Sequence, residues 1–124
     1  MKIPSVLIVE DDGLVALNLV QLLEKSGYDV PDPLISGEGA IDYVNISCPD
    51  LILMDIRLAG EIDGIGAARE IRKSSGVPVI FLTAYSDLKQ HPRLEEVNPA
   101  GFITKPFLEE EVRSAIVKAL NPGI

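Results

Sequence analysis

Short apolar runs alternate with amphipathic stretches along the chain, and this pattern predicts five βα pairs. Four runs are almost continuously apolar, as expected for strands covered by helices on both faces: residues 5–9, 51–54, 77–82 and 101–104. The remaining run, 29–35, contains Pro31 and Pro33, which lack the backbone N–H that an inner strand donates. We therefore predict an α/β protein with a five-stranded parallel sheet whose second strand lies at an edge.

The amphipathic stretches predict the helices between these strands. Apolar residues recur at helical spacing over 13–26, 64–75 and 107–120, and a weaker pattern covers 37–46. The segment 86–97 differs, because Pro92 lies in its middle and proline inside a helix costs about 3 kcal/mol. We predict five helices, of which the fourth is short or broken at Pro92; one solution is a helix that begins near this proline.

Composition limits the class of protein. The chain has 124 residues, of which 47% are hydrophobic and 24% charged, and no apolar run approaches the roughly 20 residues of a membrane span. No leader-like segment precedes the first strand, so we expect a cytoplasmic protein with no membrane contact. No interdomain linker is visible, and we expect residues 1–124 to form one domain with no output domain.

Charge and cysteine content exclude other functions. The formal net charge of −8 is opposite to that of nucleic-acid readers, so we expect no direct nucleic-acid binding. Cys48 is the only cysteine, which excludes an internal disulfide and leaves too few soft ligands for zinc. We predict that it is a buried thiol.

Polar groups follow the apolar runs at four places. Glu10 and Asp11 follow the first run, Asp55 follows 51–54, Thr83 follows 77–82, and Lys105 follows 101–104. Because the carboxyl ends of parallel strands face one crevice, we expect these side chains to converge. The sequence therefore predicts a functional site there.

These residue types are suited to phosphoryl chemistry. Three carboxylates near one another favour a hard cation such as Mg²⁺, and Lys105 and Thr83 can bind an anion beside it. Each residue also has a simpler interpretation: a solvated turn for Glu10 and Asp11, a surface lysine, a strand-end hydroxyl, a loop acid for Asp55. Asp12 is itself suited to cap the first helix. Polar groups at the ends of all four apolar runs are much less probable by chance than a polar group at any one of them. This favours a functional site with Asp55 as nucleophile.

The ordered fragments resemble the receiver domain of two-component response regulators, the CheY-like superfamily, over essentially the whole chain. The fragments are Val9-Glu10-Asp11-Asp12, Leu53-Met54-Asp55, Leu82-Thr83-Ala84 and Lys105-Pro106-Phe107. The resemblance implies a flavodoxin-like, doubly wound sheet of strand order 2-1-3-4-5. It also implies a phosphorylation-dependent switch, or a relay step, that acts in the cytoplasm.

By this resemblance, a sensor histidine kinase or a phosphotransfer protein donates a phosphoryl group to Asp55. Mg²⁺ is then held by Asp11, Asp55 and the backbone carbonyl of Arg57, with Glu10 acting mostly through water.

Further roles implied by the resemblance concern signalling. Thr83 and Phe102 are the switch residues, although Phe102 taken alone reads as a core residue. Arg57 and Tyr85 tune the lifetime of the phosphoryl group, although both are also plausible surface side chains. The Lys105–Pro106 bond is cis in the family. The activated domain is expected to act on a downstream protein or output domain, and activation can produce a homodimer.

Two other functions remain open at this stage. One is a metal-dependent phosphatase that forms a transient aspartyl phosphate, which requires a substrate pocket. The other is a receiver-like interaction module that dimerises without phosphorylation, which the complete set of acids, Thr83 and Lys105 disfavours. The family resemblance implies that the domain catalyses its own phosphorylation and dephosphorylation rather than the turnover of a substrate.

Overall fold

The computed structural model describes residues 2–84 and 92–121 and contains one parallel sheet. Its strands are β1 (Val6–Val9), β2 (Leu51–Asp55), β3 (Val79–Ala84) and β4 (Gly101–Lys105). They lie side by side in chain order, and every neighbouring pair is parallel. The α/β class and the parallel sheet are therefore confirmed, and all four strands arise from the nearly continuous apolar runs.

The prediction of five strands is wrong, because four are formed within the described residues. The predicted strand 29–35 contacts β1 only through isolated bridges, Ser5 to Asp29 and Val9 to Leu34. Hydrogen bonds close each end, such as Val6 N–H to Asp29 O (2.9 Å) and Leu34 N–H to Ile8 O (2.9 Å). Pro31 and Pro33 lie between these ends and have no N–H to donate, so a continuous ladder cannot form.

Four α-helices and one 3₁₀ helix connect the strands in the described ranges. The α-helices are α1 (Gly13–Lys25), α2 (Gly37–Ile46), α3 (Gly64–Arg72) and α4 (Glu109–Leu120). The 3₁₀ helix spans Pro92–Val97, so proline occupies its first position, where the missing N–H costs no hydrogen bond. This agrees with the expectation of a short fourth helix that begins near Pro92; residues 85–91 lie outside the described part of the chain.

Three helices begin at side chains that accept backbone N–H groups. Asp12 Oδ1 accepts from Leu14 and Val15 at 3.0 and 3.3 Å, so the simpler interpretation of Asp12 as a cap is confirmed. Ser36 caps α2 by accepting from Gly39, and Asp63 caps α3 by accepting from Gly66 at 2.8 Å. Each cap satisfies at least one donor at the helix start and fixes the loop before it.

The core consists of two apolar layers, one on each face of the sheet. Leu7, Val9, Ile52 and Met54 pack towards α2 and α3, and the alternate strand residues, among them Val6, Ile8 and Leu53, pack towards α1 and α4. Both faces of the strands are thus buried, which accounts for their continuous hydrophobicity.

Outside the core, the cysteine and the lengths of the helices bear on two further expectations. Cys48 is exposed, and its Sγ lies 3.3 Å from Ser75 Oγ, so the prediction of a buried thiol is wrong: the residue follows the end of α2 rather than lying in an element that packs inward. No helix in the described ranges is long and apolar enough to cross a membrane.

Candidate functional site

Glu10, Asp55 and Lys105 meet at the carboxyl ends of three strands. Glu10 directly follows β1, Asp55 is the last residue of β2, and Lys105 is the last residue of β4. Lys105 Nζ donates to Glu10 Oε1 at 2.6 Å and to Asp55 Oδ2 at 2.9 Å. The structure therefore brings together residues that are up to 95 positions apart in the chain, as the strand-end pattern predicted.

The three side chains differ in their access to solvent. The side chain of Glu10 is 0% exposed, that of Asp55 10% and that of Lys105 27%. Lys105 is therefore not the fully exposed surface lysine of the simpler interpretation. Its ammonium neutralises part of the negative charge of two largely buried carboxylates, each of which would be costly to bury alone.

A third carboxylate completes an acidic cluster. Ligand oxygens of Glu10, Asp11 and Asp55 all lie within 4.8 Å of one another, and Asp11 is exposed. An oxygen-only donor set with one open side fits Mg²⁺, which prefers carboxylates and keeps several of its waters. The donor chemistry thus agrees with the cation that the resemblance implies.

The environment of Glu10 makes its charge unfavourable. Burial and the neighbouring Asp55 carboxyl raise the pKa of Glu10 from 4.5 to about 7, although Lys105 and the backbone N–H of Asp12 act in the opposite direction. Burial also lowers the pKa of Lys105, but its hydrogen bonds to Glu10 and Asp55 outweigh this effect and the net pKa is raised. The ammonium is therefore charged at neutral pH.

Thr83 and Phe102 lie on the strands β3 and β4. Thr83 is 1% exposed, and its hydroxyl donates to the carbonyl oxygen of Ala84 at 3.0 Å. Phe102 is 43% exposed, and its ring is stacked on Phe81 with centroids 6.3 Å apart. The interpretation of Phe102 as a plain core residue is therefore wrong for this state, since the residue is among the exposed large hydrophobic residues of the described chain.

The loop of residues 56–63, called here the acceptor loop, joins Asp55 to α3. Arg57 is exposed, and its backbone N–H donates to Asp55 Oδ1 at 3.3 Å. Asp55 Oδ1 and Oδ2 thus have different partners, a backbone amide and an ammonium. Tyr85, the other residue predicted to tune phosphoryl lifetime, lies outside the described residues.

A glycine closes this loop against the acceptor strand. The N–H of Gly64 donates to Ile56 O at 2.7 Å, and a Cβ on Gly64 would overlap the backbone carbonyl of Asp55. Only glycine therefore allows α3 to begin this close to the end of β2. Sequence reasoning placed Gly64 only at the start of the predicted helix 64–75 and did not assign it this role.

Two charged residues that sequence reasoning missed hold the acceptor loop from two different elements. Glu38, on α2, accepts the backbone N–H of Glu61 at 2.9 Å, and this bond lowers the pKa of the Glu38 carboxyl. Arg93, on the 3₁₀ helix, binds both carboxylate oxygens of Asp63 at 3.1 and 3.2 Å. Both pairs join residues more than 20 positions apart, so local spacing gives no signal for them.

Comparisons with known proteins agree with the strand-end arrangement. A family model described as the response regulator receiver domain matches residues 6–117. The transcriptional regulatory protein PdtaR of Mycobacterium tuberculosis is 31% identical over 116 residues, which cover 94% of this chain and 56% of that protein. The chain thus spans about half the length of the curated relatives it matches.

Two solved structures are similar over nearly their full length. The signal receiver domain of a modulated diguanylate cyclase from Desulfovibrio desulfuricans G20 has a TM-score of 0.88 at 36% identity, covering 96% of this chain and 94% of that one. The receiver domain of the response regulator PhyR from Erythrobacter litoralis has a TM-score of 0.84 at 36% identity, covering 97% and 92%.

Proposed function

This chain belongs to the response regulator receiver domain family, and on that premise we propose that it accepts a phosphoryl group on Asp55 from a histidine kinase or a phosphotransfer protein. The domain then acts as a switch in two-component signalling. The observation that supports this most directly is the position of Asp55: a strand-end carboxylate, largely buried, with Oδ2 bound by Lys105 and two further acids beside it.

The reaction requires a carboxylate oxygen of Asp55 to attack phosphorus. The new O–P bond forms as the bond between phosphorus and the donor's imidazole nitrogen breaks, and the bonding electrons leave with that nitrogen. Lys105 stays charged near the transferred group and offsets the negative charge that develops on its oxygens. The small exposed fraction of Asp55 limits the directions from which the donor can approach.

Asp11, Asp55 and the backbone carbonyl of Arg57 are the ligands proposed for Mg²⁺, with Glu10 acting mostly through water. When bound, the cation supplies positive charge to the acids and to the phosphoryl oxygens. Asp11 is suited to this part because it is exposed, whereas Glu10 already gives one oxygen to Lys105 and the other to the backbone N–H of Asp12. Glu10 is therefore bound to the Lys105 ammonium, whereas Asp11 is available to the metal ion. Asp55 is proposed to contact both.

Thr83 and Phe102 are the proposed switch. The Thr83 hydroxyl donates to a backbone carbonyl in this structure, a bond that it can exchange for a phosphoryl oxygen on Asp55 at little net cost. Movement of Thr83 would leave space on β3 for Phe102, whose ring is already in contact with Phe81. We also propose that the switched domain passes the signal on by binding a downstream protein or by forming a homodimer.

Intact-mass spectrometry with acetyl phosphate and Mg²⁺ tests the function. We expect a gain of about 80 Da, one phosphoryl group on a carboxylate nucleophile, that is absent in Asp55→Asn and absent in EDTA. Asp42→Asn, which changes an exposed acid on α2, is the matched control and should be labelled like the parent. Labelling that survives Asp55→Asn, or an unchanged mass with several phosphoryl donors, would refute the proposal.

A further inference from the structure

Asp63 has two structural roles at once. It caps α3 by accepting the N–H of Gly66 at 2.8 Å, and its two carboxylate oxygens accept from both terminal nitrogens of Arg93. A planar guanidinium bound to a carboxylate in this two-point way fixes orientation as well as distance. The start of α3 is therefore tied to the 3₁₀ helix Pro92–Val97 by a contact with a defined geometry.

Asp63 is also connected to the acceptor Asp55, through the next residue in the chain. Gly64 follows it, donates to Ile56 O at 2.7 Å, and lies so close to the Asp55 carbonyl that no Cβ fits between them. Closely packed backbone does not deform gradually, so a displacement at Asp55 passes to Gly64 and Asp63. Phosphorylation converts the Asp55 carboxylate into an acyl phosphate. The carboxyl oxygen that accepts the Arg57 N–H then no longer carries carboxylate charge, which changes the beginning of the same loop.

The 3₁₀ helix at the far end of this contact is well placed to respond. Its residues Leu94 and Val97 are buried in the core layer beside α3, whereas Glu95 and Glu96 are exposed. A second ion pair, Arg69 to Glu96 at 2.8 Å, joins α3 to the same helix. Arg69 lies near the end of α3 and does not contact Asp63. Its side chain is 45% exposed against 41% for Arg93, so Arg69 offers a control of the same charge and similar exposure.

We infer that Arg93 couples the acceptor loop to the 3₁₀ helix, so that residues 92–97 respond to phosphorylation at Asp55 through Asp63. Arg93 is a positioning residue and makes no contact with the reacting atoms. The inference rests on the proposed function, because it requires a phosphoryl group at Asp55, and it adds a route separate from Thr83 and Phe102. Coupling of this kind is reciprocal, so the state of the 3₁₀ helix also influences the acceptor.

Hydrogen exchange measured with and without acetyl phosphate and Mg²⁺ tests the coupling. In the parent protein we expect phosphorylation to change the exchange rates of the amides of residues 93–98. In Arg93→Gln this change should shrink by about fivefold, the low end of measured couplings between sites. Arg69→Gln is the matched control and should keep the parent response, and thermal melting should show that both variants are folded.

A double-mutant cycle separates coupling from general weakening of the fold. Asp63→Asn keeps an oxygen that can cap α3 but removes the charge that Arg93 binds, so it should reduce the response as Arg93→Gln does. The double variant should show no further loss. Equal responses in Arg93→Gln and Arg69→Gln, or additive losses in the cycle, would overturn the inference while Asp55 is still labelled. A parent protein that is not labelled at all would instead refute the proposed function and the inference together.

Discussion

Lys105 donates to Asp55 Oδ2 over 2.9 Å, from the end of β4 to the end of β2 with β3 between them. The same ammonium contacts Glu10 at 2.6 Å, so a single cation is shared by two carboxylates with almost no exposure. Because neither acid has another ammonium or guanidinium partner among the ion pairs of the described residues, the charge of this crevice depends on Lys105 and on any bound cation.

Lys105→Met should weaken both the reaction and the fold. Two buried carboxylates lose their charged partner, and we expect the free energy of unfolding at pH 8 to fall by about 1–3 kcal/mol, the cost of unsatisfied buried polar groups. Labelling by acetyl phosphate should slow at least tenfold, since a lost charge-assisted hydrogen bond of about 1.4 kcal/mol already has that effect. Denaturant titration and mass spectrometry measure the two effects.

Lys118→Met is the control for this substitution. It changes an exposed lysine in the last turn of α4, so both measurements should stay close to those of the parent. If the two lysine variants behaved alike, Lys105 would have no special role.

Glu10 should make the metal-free protein less stable as pH rises. Its pKa is about 7 in the folded state against an ordinary 4.5, so between these values the unfolded chain releases the proton that the folded protein keeps. The free energy of unfolding therefore falls through this window, by about 3 kcal/mol in total, and Glu10→Gln should remove the fall. Urea titrations in EDTA at pH 5, 6, 7 and 8 provide the measurement.

Glu24→Gln serves as the matched control because Glu24 is exposed on α1. This variant should show the same pH dependence as the parent. Parallel profiles for the parent and Glu10→Gln would mean that Glu10 is ionised in the folded state throughout the range.

Gly64→Ala should be strongly destabilising. The added methyl group would overlap the Asp55 carbonyl and approach Met54 Cγ to 2.9 Å, so α3 or the end of β2 must shift. Overpacking of this kind costs about 1–3 kcal/mol and sometimes more. Gly76→Ala is the control, since nothing lies within 4 Å of its Cβ position, and thermal denaturation should show it at or above the parent. An equal melting temperature for both variants would contradict the close approach.

Phe102→Trp should report the switch. The chain contains no tryptophan, so the new indole is the only one, and at this half-exposed position its emission is sensitive to burial. If the ring turns inward on phosphorylation, acetyl phosphate with Mg²⁺ should shift the emission to shorter wavelength. Val117→Trp, at an exposed position of α4, should show no shift. An unchanged spectrum in a labelled Phe102→Trp sample would remove Phe102 from the switch.

Elements with a complete local signal were predicted well. The strand β2 and the helix α1 lie almost where continuous apolar residues and helical spacing placed them, because burial of both strand faces and of one helix face determines the local pattern of apolar residues. The strand-end rule also predicted that Glu10, Asp55 and Lys105 lie close together, and the structure shows these contacts. The cis Lys105–Pro106 bond, expected from the family alone, is also present.

The remaining features depend on contacts that sequence spacing does not encode. The predicted second strand, 29–35, does not form a continuous strand. Isolated bridges at its two ends contact β1, but Pro31 and Pro33 interrupt the hydrogen-bond ladder between these bridges. The partners Glu38 with Glu61 and Arg93 with Asp63 depend on how α2, α3 and the 3₁₀ helix pack. Neither pair has a local motif, so only the folded arrangement identifies them.

The segment 29–34 also affects how molecules of this protein meet one another. It shields the outer side of β1 from a second chain, and Pro31 and Pro33 leave gaps in the row of amide donors that an incoming strand would need. Asp29 and Asp32 add negative charge along the same stretch. Self-association by intermolecular strand addition, the first step towards fibrillar aggregation, is therefore disfavoured on this flank.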